Sequence, residues 1–388
     1  MTVPVVLDAR IMAYNRTGIS RYIRHLYEGM ASRRDSLSTG ADPYPVDVTV
    51  LSSRRDTDRL LADAWGRSAI CWTPPHHRLE RVALSVEIAR ALMRSLPART
   101  GARPVLHSPD HVCPEPFSLL GARQWATVVT VHDLSFLQVP ETHSVESLRY
   151  YSGIHRTART AERIICPSQS TAADVLDMTD VHPDRIRVIH EAPDPRYVDS
   201  GPVFRPQDPQ KPYILTVGSI DKRKNIKILI EALAAMKPAE RPDVKIVGSP
   251  GSAYEECVNQ ITRNGMTSSV QFLGRISTEM IASLYRGAAA MVYPSLYEGF
   301  GLPVVEAMAC GAPVITSTTS CLPEVAGDAA ILVEPADVDG LRDAILRVIG
   351  DPGLSAGMRA RGLRRAASFS WDRAAAQTVA VFLEASRA

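Results

Sequence analysis

Cysteine is scarce in this chain of 388 residues, as is any motif built on it. The six cysteines are scattered, and no two of them show the Cys-x-x-Cys spacing of a zinc site or a redox pair. This pattern argues against a disulfide framework and predicts a reducing environment, the cytoplasm. The ten histidines likewise show no His-Glu-x-x-His spacing, so the sequence predicts neither a metal nor a bound cofactor.

Long apolar runs and an excess of charge are also missing. No stretch of about 18 uncharged apolar residues is long enough for a transmembrane helix, and the segment MTVPVVLDAR does not resemble a signal peptide. The formal net charge of +2 gives no electrostatic reason to expect a nucleic-acid partner. The amphipathic segment 78–96 carries four arginines, but Glu80 and Glu87 interrupt them, so membrane contact is at most peripheral.

Lysine is the third scarce residue. Arginine outnumbers it by 38 to six, and no lysine precedes Lys211. Three of the six lysines nevertheless fall within DKRKNIK, 221–227. Most charge runs are solvated surface, but a cluster against this background marks the segment as a candidate functional site.

Short apolar runs rich in valine and isoleucine alternate with amphipathic stretches along the chain. Runs that are apolar on both faces suit buried parallel strands covered by helices on either side. Each half of the chain contains six: 3–9, 46–53, 104–110, 125–133, 162–168 and 185–193, then 213–219, 244–249, 270–276, 289–295, 312–318 and 329–335.

These runs predict an α/β protein with two doubly wound, Rossmann-like domains facing across a cleft. The segment 198–212 contains four prolines, which cannot continue a helix or a central strand. We therefore predict an N-terminal domain, 1–195, and a C-terminal domain, 196–369, with a final helix of about 370–388 packing back on the first domain. Ligands of such sheets bind at the carboxyl ends of the strands, so the cleft is the expected site.

The most informative segment is PSLYEGFGLPVVEAMACGAPVIT, 294–316, in which a glycine-rich turn follows a predicted strand. Pro303 suits the first position of a helix, because its missing N–H costs nothing there. Gly311 is a plausible end for the same helix. This places Glu306 in the first turn of the helix and Glu298 in the turn before it.

Unpaired amides at the start of this helix, around Gly301 and Leu302, would form a positive end suited to a phosphate. Helical side chains lean toward the N-terminus, so Glu306 would reach a ligand bound there and could accept two hydroxyl protons from a ribose. Glu298 could accept from a second polyol. One phosphate site with two hydroxyl acceptors describes a nucleotide-sugar.

EGFGLPVVEA, with Glu298 and Glu306, resembles the E-x7-E signature of the retaining glycosyltransferases of family 4, which have the GT-B fold. The resemblance covers nearly the full chain. It continues through ACGAPVITS, LPEVAGDAAILVEP and VGSIDKRKNIKILIEAL in the second half, and TGISRYIRHL, VHDLSFLQVPETHS and IICPSQSTAADVL in the first.

The resemblance implies roles for the C-terminal residues. Glu306 would bind the ribose hydroxyls, and Glu298 would contact the donor hexose near its 3-OH. The backbone amides that hold the sugar hydroxyls and the phosphates would be those of Gly299, Phe300, Gly301 and Leu302.

The basic segment is similar to the family pattern G-R-L-x-x-x-K, with Gly218 at its glycine and Lys224 at its lysine. Fixed cations there would stabilise the charge that gathers on a leaving diphosphate. Ser219 stands where the family usually has arginine, and Arg223 would supply the second cation instead.

The resemblance also implies three sites in the first half. Gly18 lies in the loop that the family places against the diphosphate and acceptor, although many members have two adjacent glycines where this chain has Thr17 and Gly18. His132 matches a histidine beside the donor sugar near its anomeric carbon, with a role that is partly through backbone. Asp110 is a candidate to bind the acceptor, and would suit an aminated sugar or an aminocyclitol.

The expected reaction is transfer of a hexose from a UDP- or GDP-sugar to a hydroxyl of a carbohydrate-like acceptor, with the α configuration kept. The acceptor would be a polysaccharide or oligosaccharide precursor, or a small aminocyclitol of the antibiotic type. Lys224 and the helix amides would supply the positive charge that a metal supplies elsewhere. Three alternatives stay open: a glycoside hydrolase, a nicotinamide dehydrogenase, disfavoured because no G-x-G-x-x-G follows a strand, and a non-catalytic nucleotide-sugar-binding protein.

Overall fold

A computed structural model describes residues 2–13, 18–35, 45–53, 65, 68–71, 102–111, 125–206, 208 and 211–388. The chain divides into two compact units. Unit 1 comprises Met1–Leu134, Val145–Glu191 and Trp371–Ala388, and unit 2 comprises Ser135–Ser144 and Ala192–Ser370. The predicted amphipathic segment 78–96 lies outside the described residues.

Both units are parallel α/β structures. Their strands are β1 Val3–Asp8, β2 Val46–Ser53, β3 Ser68–Cys71, β4 Val105–Ser108, β5 Ala126–Thr130, β6 Arg163–Cys166, β7 Ile186–Val188, β8 Tyr213–Val217, β9 Asp243–Val247, β10 Val270–Gly274, β11 Ala290–Tyr293, β12 Val314–Ser317 and β13 Ala330–Val333. The helices described are α1 Gly18–Asp35, α2 Ser135–Gln138, α3 Val145–Tyr151, α4 Ile154–Thr160, α5 Gln169–Met178, α6 Ile226–Ala234, α7 Tyr254–Arg263, α8 Thr278–Gly287, α9 Leu302–Ala309, α10 Leu322–Ala326, α11 Val338–Gly350, α12 Pro352–Ala367 and α13 Trp371–Arg387.

The strand order gives each sheet one reversal point. Unit 1 has the order β3-β2-β1-β4-β5-β6-β7, and unit 2 has the order β10-β9-β8-β11-β12-β13. Every recorded strand pair is parallel. The order reverses between β1 and β4 in unit 1 and between β8 and β11 in unit 2, and ligands of doubly wound sheets bind outside the carboxyl ends of strands at such a point.

All twelve predicted strands are present, and β3 is an additional one. The apolar runs became strands because a parallel sheet covered on both faces buries most side chains of its central strands. Ile214, Ile246 and Val292, for example, have at most 1% of their surface exposed. β3 escaped prediction because it is a four-residue edge strand, SAIC, with a single strongly β-favouring residue.

Helix α13 belongs to unit 1, at the far end of the chain from the strands it covers. Phe382 packs on His107 of β4, with ring centroids 5.2 Å apart. Glu384 pairs with Arg163 at 3.2 Å and with Arg187 at 2.7 Å. The division between the units at residues 191 and 192 lies a few positions before the predicted boundary, and Ser135–Ser144 groups with unit 2.

Candidate active site

The reversal point of unit 2 brings the basic segment and the glycine-rich turn together. The basic segment follows β8, and the turn follows the neighbouring strand β11. Gly218 leaves β8 with a φ of 152°, and its carbonyl oxygen would lie only 1.8 Å from a Cβ at Gly248. Glycine is required where backbones approach this closely. The side chain of Lys224 lies directly beside Gly218, since a Cβ at Gly218 would be 3.5 Å from Lys224 Cε.

Glu298 is the centre of a buried polar cluster. Its Oε1 accepts hydrogen bonds from Lys224 Nζ at 2.5 Å, Ser295 Oγ at 2.6 Å and Tyr293 Oη at 2.9 Å. Its Oε2 accepts from Arg223 Nη1 at 2.8 Å, and Lys224 Nζ also donates to Tyr293 Oη at 2.6 Å. Two residues predicted for the site, Lys224 and Arg223, therefore meet at the carboxylate of a third, Glu298.

The electrostatics of this cluster are dominated by its two cations. Burial raises the pKa of Glu298, but the charges of Arg223 and Lys224 outweigh that effect, and together with hydrogen bonds they lower its pKa to about 2. Glu298 is 7% exposed, so its charge is poorly screened by water. The cluster thus joins one carboxylate to two cations.

Helix α9 begins beside this cluster, directly after Gly301. Gly301 is the N-cap and has a φ of 87°, in the left-handed region, and a Cβ there would lie 2.9 Å from Leu322 Cδ2. Pro303 occupies the first helical turn, where no intrahelical partner is lost. The helix ends in a Schellman arrangement, since Gly311 N–H bonds Met308 O and Ala312 N–H bonds Ala307 O, both at 2.9 Å.

Glu306 lies one residue deeper in α9 than predicted from the sequence, just past the first turn. The helix starts at Leu302 rather than at Pro303, and its first turn contains no acidic residue. The prediction was wrong because it treated proline as the first helical residue, whereas proline is also tolerated at the second position. Glu306 is 1% exposed, so its carboxylate is held within the protein.

The remaining residues of the turn are buried as well. Phe300 and Leu302 are buried, and the Phe300 ring packs edge-on against Phe369 with centroids 5.4 Å apart. The backbone N–H of Glu298 donates to Ser320 Oγ at 3.0 Å, which ties the turn, including Gly299, to the loop after β12. Ser320 itself has a φ of 52°, a strained conformation for serine that clusters at functional sites.

The serine at position 219, where the family usually has arginine, has a structural role in its own loop. Its hydroxyl donates to Asp221 Oδ2, and Asp221 Oδ1 accepts from the backbone N–H of Ser252 at 3.1 Å. Ser219 thus stabilises the loop and carries no charge to the site. Arg223, predicted to supply a second cation toward the diphosphate, is paired with Glu298 in this structure.

Two predicted residues of unit 1 lie at the carboxyl ends of β4 and β5. Asp110 Oδ1 accepts from the backbone N–H of His111 at 2.7 Å and lies 3.3 Å from His111 Nδ1. Burial lowers the pKa of His111, but the hydrogen bond and charge of Asp110, with Asp133, prevail and raise it. His132 contacts Glu191 Oε1 and Pro109 O, each at 3.2 Å.

Gly18 is the first residue of α1, beyond the β1 end of the sheet. A Cβ at Gly18 would meet nothing within 4 Å, so packing in unit 1 does not require glycine there. Thr17, its neighbour in the predicted loop, lies outside the described residues. The structure therefore places Gly18 near the reversal point of unit 1 and gives no contact for it.

Several polar residues of the site were missed from sequence. Tyr293, Ser295 and Ser320 hold Glu298, and Glu191 holds His132. Tyr293 is the last residue of the apolar strand β11 and Ser295 lies two positions beyond it, which is a usable signal for a place at the carboxyl edge. Glu191 lies 59 residues from His132 in the chain, and no local pattern connects them.

Within the described ranges no group of three or more histidine, cysteine, aspartate or glutamate side chains could hold a metal ion. In the part of the chain that the structure describes, no helix is long and apolar enough to cross a membrane.

Comparisons with known proteins agree with this architecture. Residues 203–365 match the family described as Glycosyl transferases group 1, and residues 16–197 match Glycosyltransferase Family 4. The chain is 30% identical over 392 residues to O-antigen chain mannosyltransferase B of Escherichia coli, covering 97% of this chain and 98% of that protein. The chain therefore belongs to the family 4 glycosyltransferases, and it is a glycosyltransferase.

A second relative and two solved structures are also similar. MMP alpha-(1->4)-mannosyltransferase of Mycolicibacterium hassiacum is 34% identical over 238 residues, which are 59% of this chain and 56% of that protein. Sucrose-phosphate synthase from Thermosynechococcus elongatus superposes with a TM-score of 0.76 at 21% identity, over 98% of each chain. Anabaena HepE in complex with UDP-glucose has a TM-score of 0.72 at 20% identity, over 99% of this chain and 100% of that one. The fold is GT-B.

Proposed function

We propose that this protein is a retaining mannosyltransferase, which transfers a hexose from a UDP- or GDP-sugar to a hydroxyl of a glycan acceptor and forms an α-glycosidic bond. One observation carries the proposal: a carboxylate bound by two cations lies at the reversal point of unit 2, next to the start of α9. The choice of mannose follows from the relatives, since O-antigen chain mannosyltransferase B and the mycobacterial enzyme are both named for it.

The donor diphosphate would be held by Lys224, Arg223 and the amides at the start of α9. Lys224 and Arg223 are both cations, so they would attract a dianionic diphosphate. Preorganised positive groups of this kind stabilise a leaving group in proportion to the charge it gains. They favour the transition state over the intact donor, and the reaction needs no metal for this purpose.

The carboxylates would take separate roles. Glu298 stays ionised at any physiological pH, because its pKa is about 2. It can accept a hydrogen bond from the hexose while its existing donors hold it in place. Glu306, buried in α9, would accept the ribose hydroxyls. Neither has to act as a nucleophile, because the departing phosphate oxygen can take the acceptor proton while the acceptor attacks from the same face.

The acceptor is proposed to be a growing glycan chain, by similarity to the O-antigen relative. Asp110 and His132, at the carboxyl ends of β4 and β5, would lie beside the acceptor and the anomeric carbon. Asp110 would hydrogen-bond a sugar hydroxyl, and the same group would suit an amino substituent. A small aminocyclitol acceptor is thus the competing outcome of the test.

The experiment is a transfer assay with purified protein. GDP-mannose, UDP-glucose and UDP-N-acetylglucosamine are each supplied with α-mannoside oligosaccharides or with aminocyclitols, and nucleoside diphosphate release is measured with and without acceptor. We expect release that depends on the acceptor and is fastest with GDP-mannose, and a product with an α-anomeric signal in the proton NMR spectrum.

Other outcomes would contradict the proposal. Equal release of free sugar without acceptor would indicate a hydrolase. A raised melting temperature with nucleoside diphosphate, together with no turnover on any acceptor, would indicate a binding protein, because a ligand that binds only the native state stabilises it. A β-linked product would reject retention.

A further inference from the structure

The part of the chain that the structure describes contains two residues other than glycine with a left-handed φ, Asn225 at 53° and Ser320 at 52°. Asn225 follows Lys224 in the basic segment after β8, and Ser320 lies in the loop between β12 and α10, residues 318–321. β8 and β12 are the two strands that pair with β11. Both residues therefore lie in loops that flank the glycine-rich turn.

The left-handed conformation is less favourable for Ser320 than for Asn225. Asparagine enters this region several times more often than most residues, because its short polar side chain can hydrogen-bond locally. The Nδ2 of Asn225 also donates to the carbonyl oxygen of Pro335, at 2.8 Å. A serine stays in this region where its surroundings hold it there. The contacts of Ser320 therefore indicate what its strained backbone serves.

Ser320 binds the turn that carries Glu298. Its Oγ accepts a hydrogen bond from the backbone N–H of Glu298, at 3.0 Å. Two hydroxyls that precede it bind the same turn, since Ser317 Oγ and Thr319 Oγ1 donate to the carbonyl oxygen of Ser295, at 2.5 and 3.2 Å. Ser295 and Glu298 are 0% and 7% exposed, so the backbone groups that these hydroxyls bind lie in a buried part of the turn.

The basic segment holds the turn from its other side. The backbone N–H of Leu296 donates to the carbonyl oxygen of Arg223 at 2.8 Å, and Arg223 Nη1 donates to the carbonyl oxygen of Tyr297 at 2.6 Å. Beyond the 318–321 loop the chain enters α10, where Leu322 packs against Gly301. The turn is thus held between the loops that follow both neighbouring strands.

We propose that Ser320 is a positioning residue, whose hydroxyl holds the glycine-rich turn in the shape that presents its backbone amides to the donor. This inference rests on the proposed function, in which those amides bind the sugar and the diphosphate. A side chain with no acceptor would remove the bond to the Glu298 N–H in a buried place, and the turn would shift. Displacements of about 1 Å near a reacting centre can lower turnover by about a hundredfold.

Three substitutions at this position separate the hydroxyl from the backbone conformation. Ser320→Ala removes the acceptor and keeps the strain, whereas Ser320→Gly removes the acceptor and relieves the strain. Ser320→Asn supplies a side-chain oxygen on a residue that tolerates the left-handed region. We expect kcat to fall by about tenfold or more in Ser320→Ala and Ser320→Gly, and to stay within about threefold of the wild type in Ser320→Asn.

Stability should follow a different order from kcat. Ser320→Gly should melt about 2 °C or more above Ser320→Ala, because alanine is strained at a positive φ and glycine is not. Thermal denaturation would measure the difference. If Ser320 only stabilised the fold, kcat would follow the melting temperature, and Ser320→Gly would recover the rate that Ser320→Ala loses.

Ser277→Ala is the matched control in unit 2. The Oγ of Ser277 also accepts a backbone N–H, that of Met280 at 3.2 Å, but Ser277 has an ordinary φ of −66° and caps α8. The lost cap should lower the melting temperature. The kcat of this variant should stay within about twofold of the wild type, since α8 carries none of the residues proposed to bind the donor.

A second readout follows the hydrogen bond itself. Hydrogen exchange of the segment 294–301, measured by mass spectrometry, should be faster in Ser320→Ala and Ser320→Gly than in the wild type and in Ser277→Ala. This measurement needs no turnover, so failure of the proposed transferase activity would be seen separately, in the wild type.

Defined results would overturn the inference. Unchanged exchange in Ser320→Ala would show that the hydroxyl does not hold the turn. Wild-type kcat in Ser320→Ala or in Ser320→Gly would reject the positioning role, and so would a loss in Ser320→Asn equal to that in Ser320→Ala. A wild type with no turnover on any acceptor would reject the proposed function and this role with it.

Discussion

The two units differ in how buried acids are paired with basic residues at the carboxyl ends of their strands. In unit 2, a single buried carboxylate, Glu298, is shared by the two cations Lys224 and Arg223. In unit 1, each buried acid at the carboxyl edge has a partner of its own: Asp8 with Arg10, Asp110 with His111, and Glu191 with His132. Two similar sheets therefore differ in how acids and cations are paired at their carboxyl edges. The difference makes the two cations of unit 2 the feature to test first.

The largest effect that would break this contrast is loss of a cation from unit 2. Lys224→Ala should lower kcat by about a hundredfold or more, because it removes a positive group aimed at the departing diphosphate. Lys227→Ala is the matched control, since Lys227 lies in the same segment but pairs with Glu256 in a half-exposed position. Steady-state kinetics with the preferred donor would measure both variants, and equal rates in the two would remove Lys224 from the site.

Removing the shared acid should destabilise unit 2 rather than simply inactivate it. Glu298→Gln leaves Lys224 and Arg223 poorly compensated in a buried position, and breaking a buried ion pair costs about 3 kcal/mol or more. Urea denaturation would measure the loss. Glu256→Gln, which breaks only an exposed pair, should change the free energy of unfolding by less than about 0.5 kcal/mol. A difference within error between the two variants would show that the cluster does not stabilise the fold.

The stability that Glu298 contributes should also depend on pH. The pKa of Glu298 falls from 4.5 to about 2 on folding, so its contribution is fully present above pH 4.5 and is lost as the pH falls toward 2. The shift corresponds to about 3 kcal/mol at neutral pH. Urea midpoints at pH 5, 4 and 3 should fall more steeply for the wild type than for Glu298→Gln. Parallel curves would mean that Glu298 has an ordinary pKa in the folded state.

A smaller effect, on nucleotide affinity, should test whether unit 2 binds the donor. Glu306→Gln should weaken nucleotide binding by about tenfold, because a neutral amide replaces a charged acceptor of ribose hydroxyls. Calorimetric titration with GDP and UDP would measure it, with the exposed Glu255→Gln as the control. Unaltered affinity for both nucleotides would place the ribose elsewhere.

Backbone elements were easier to predict from the sequence than side-chain contacts. The strands were predictable because most of them are short, largely apolar runs, such as YILTV in β8 or AMVY in β11. The neighbourhood of Glu298 and Lys224 was also predictable, because strand ends in a parallel sheet lie at one edge. The start of α9 was missed by one residue, which is within the usual variation at helix ends.

The partners of each functional group were not predictable in the same way. Tyr293 and Ser295 hold Glu298 through contacts that depend on side-chain rotamers rather than on sequence spacing. Glu191 reaches His132 only because β5 and the end of unit 1 are brought together by the sheet. Such pairs follow from the tertiary fold, since neither residue carries a local signal for the other.

The place of α13 in unit 1 has a consequence for how the chain is made. Unit 2 is one continuous stretch apart from Ser135–Ser144, so its sheet can assemble as soon as that stretch leaves the ribosome. Unit 1 must wait for Trp371–Ala388, synthesised after all of unit 2, before Phe382 can cover His107. The unit that is translated first is thus the one that finishes folding last, and until then it exposes an apolar face that chaperones can bind.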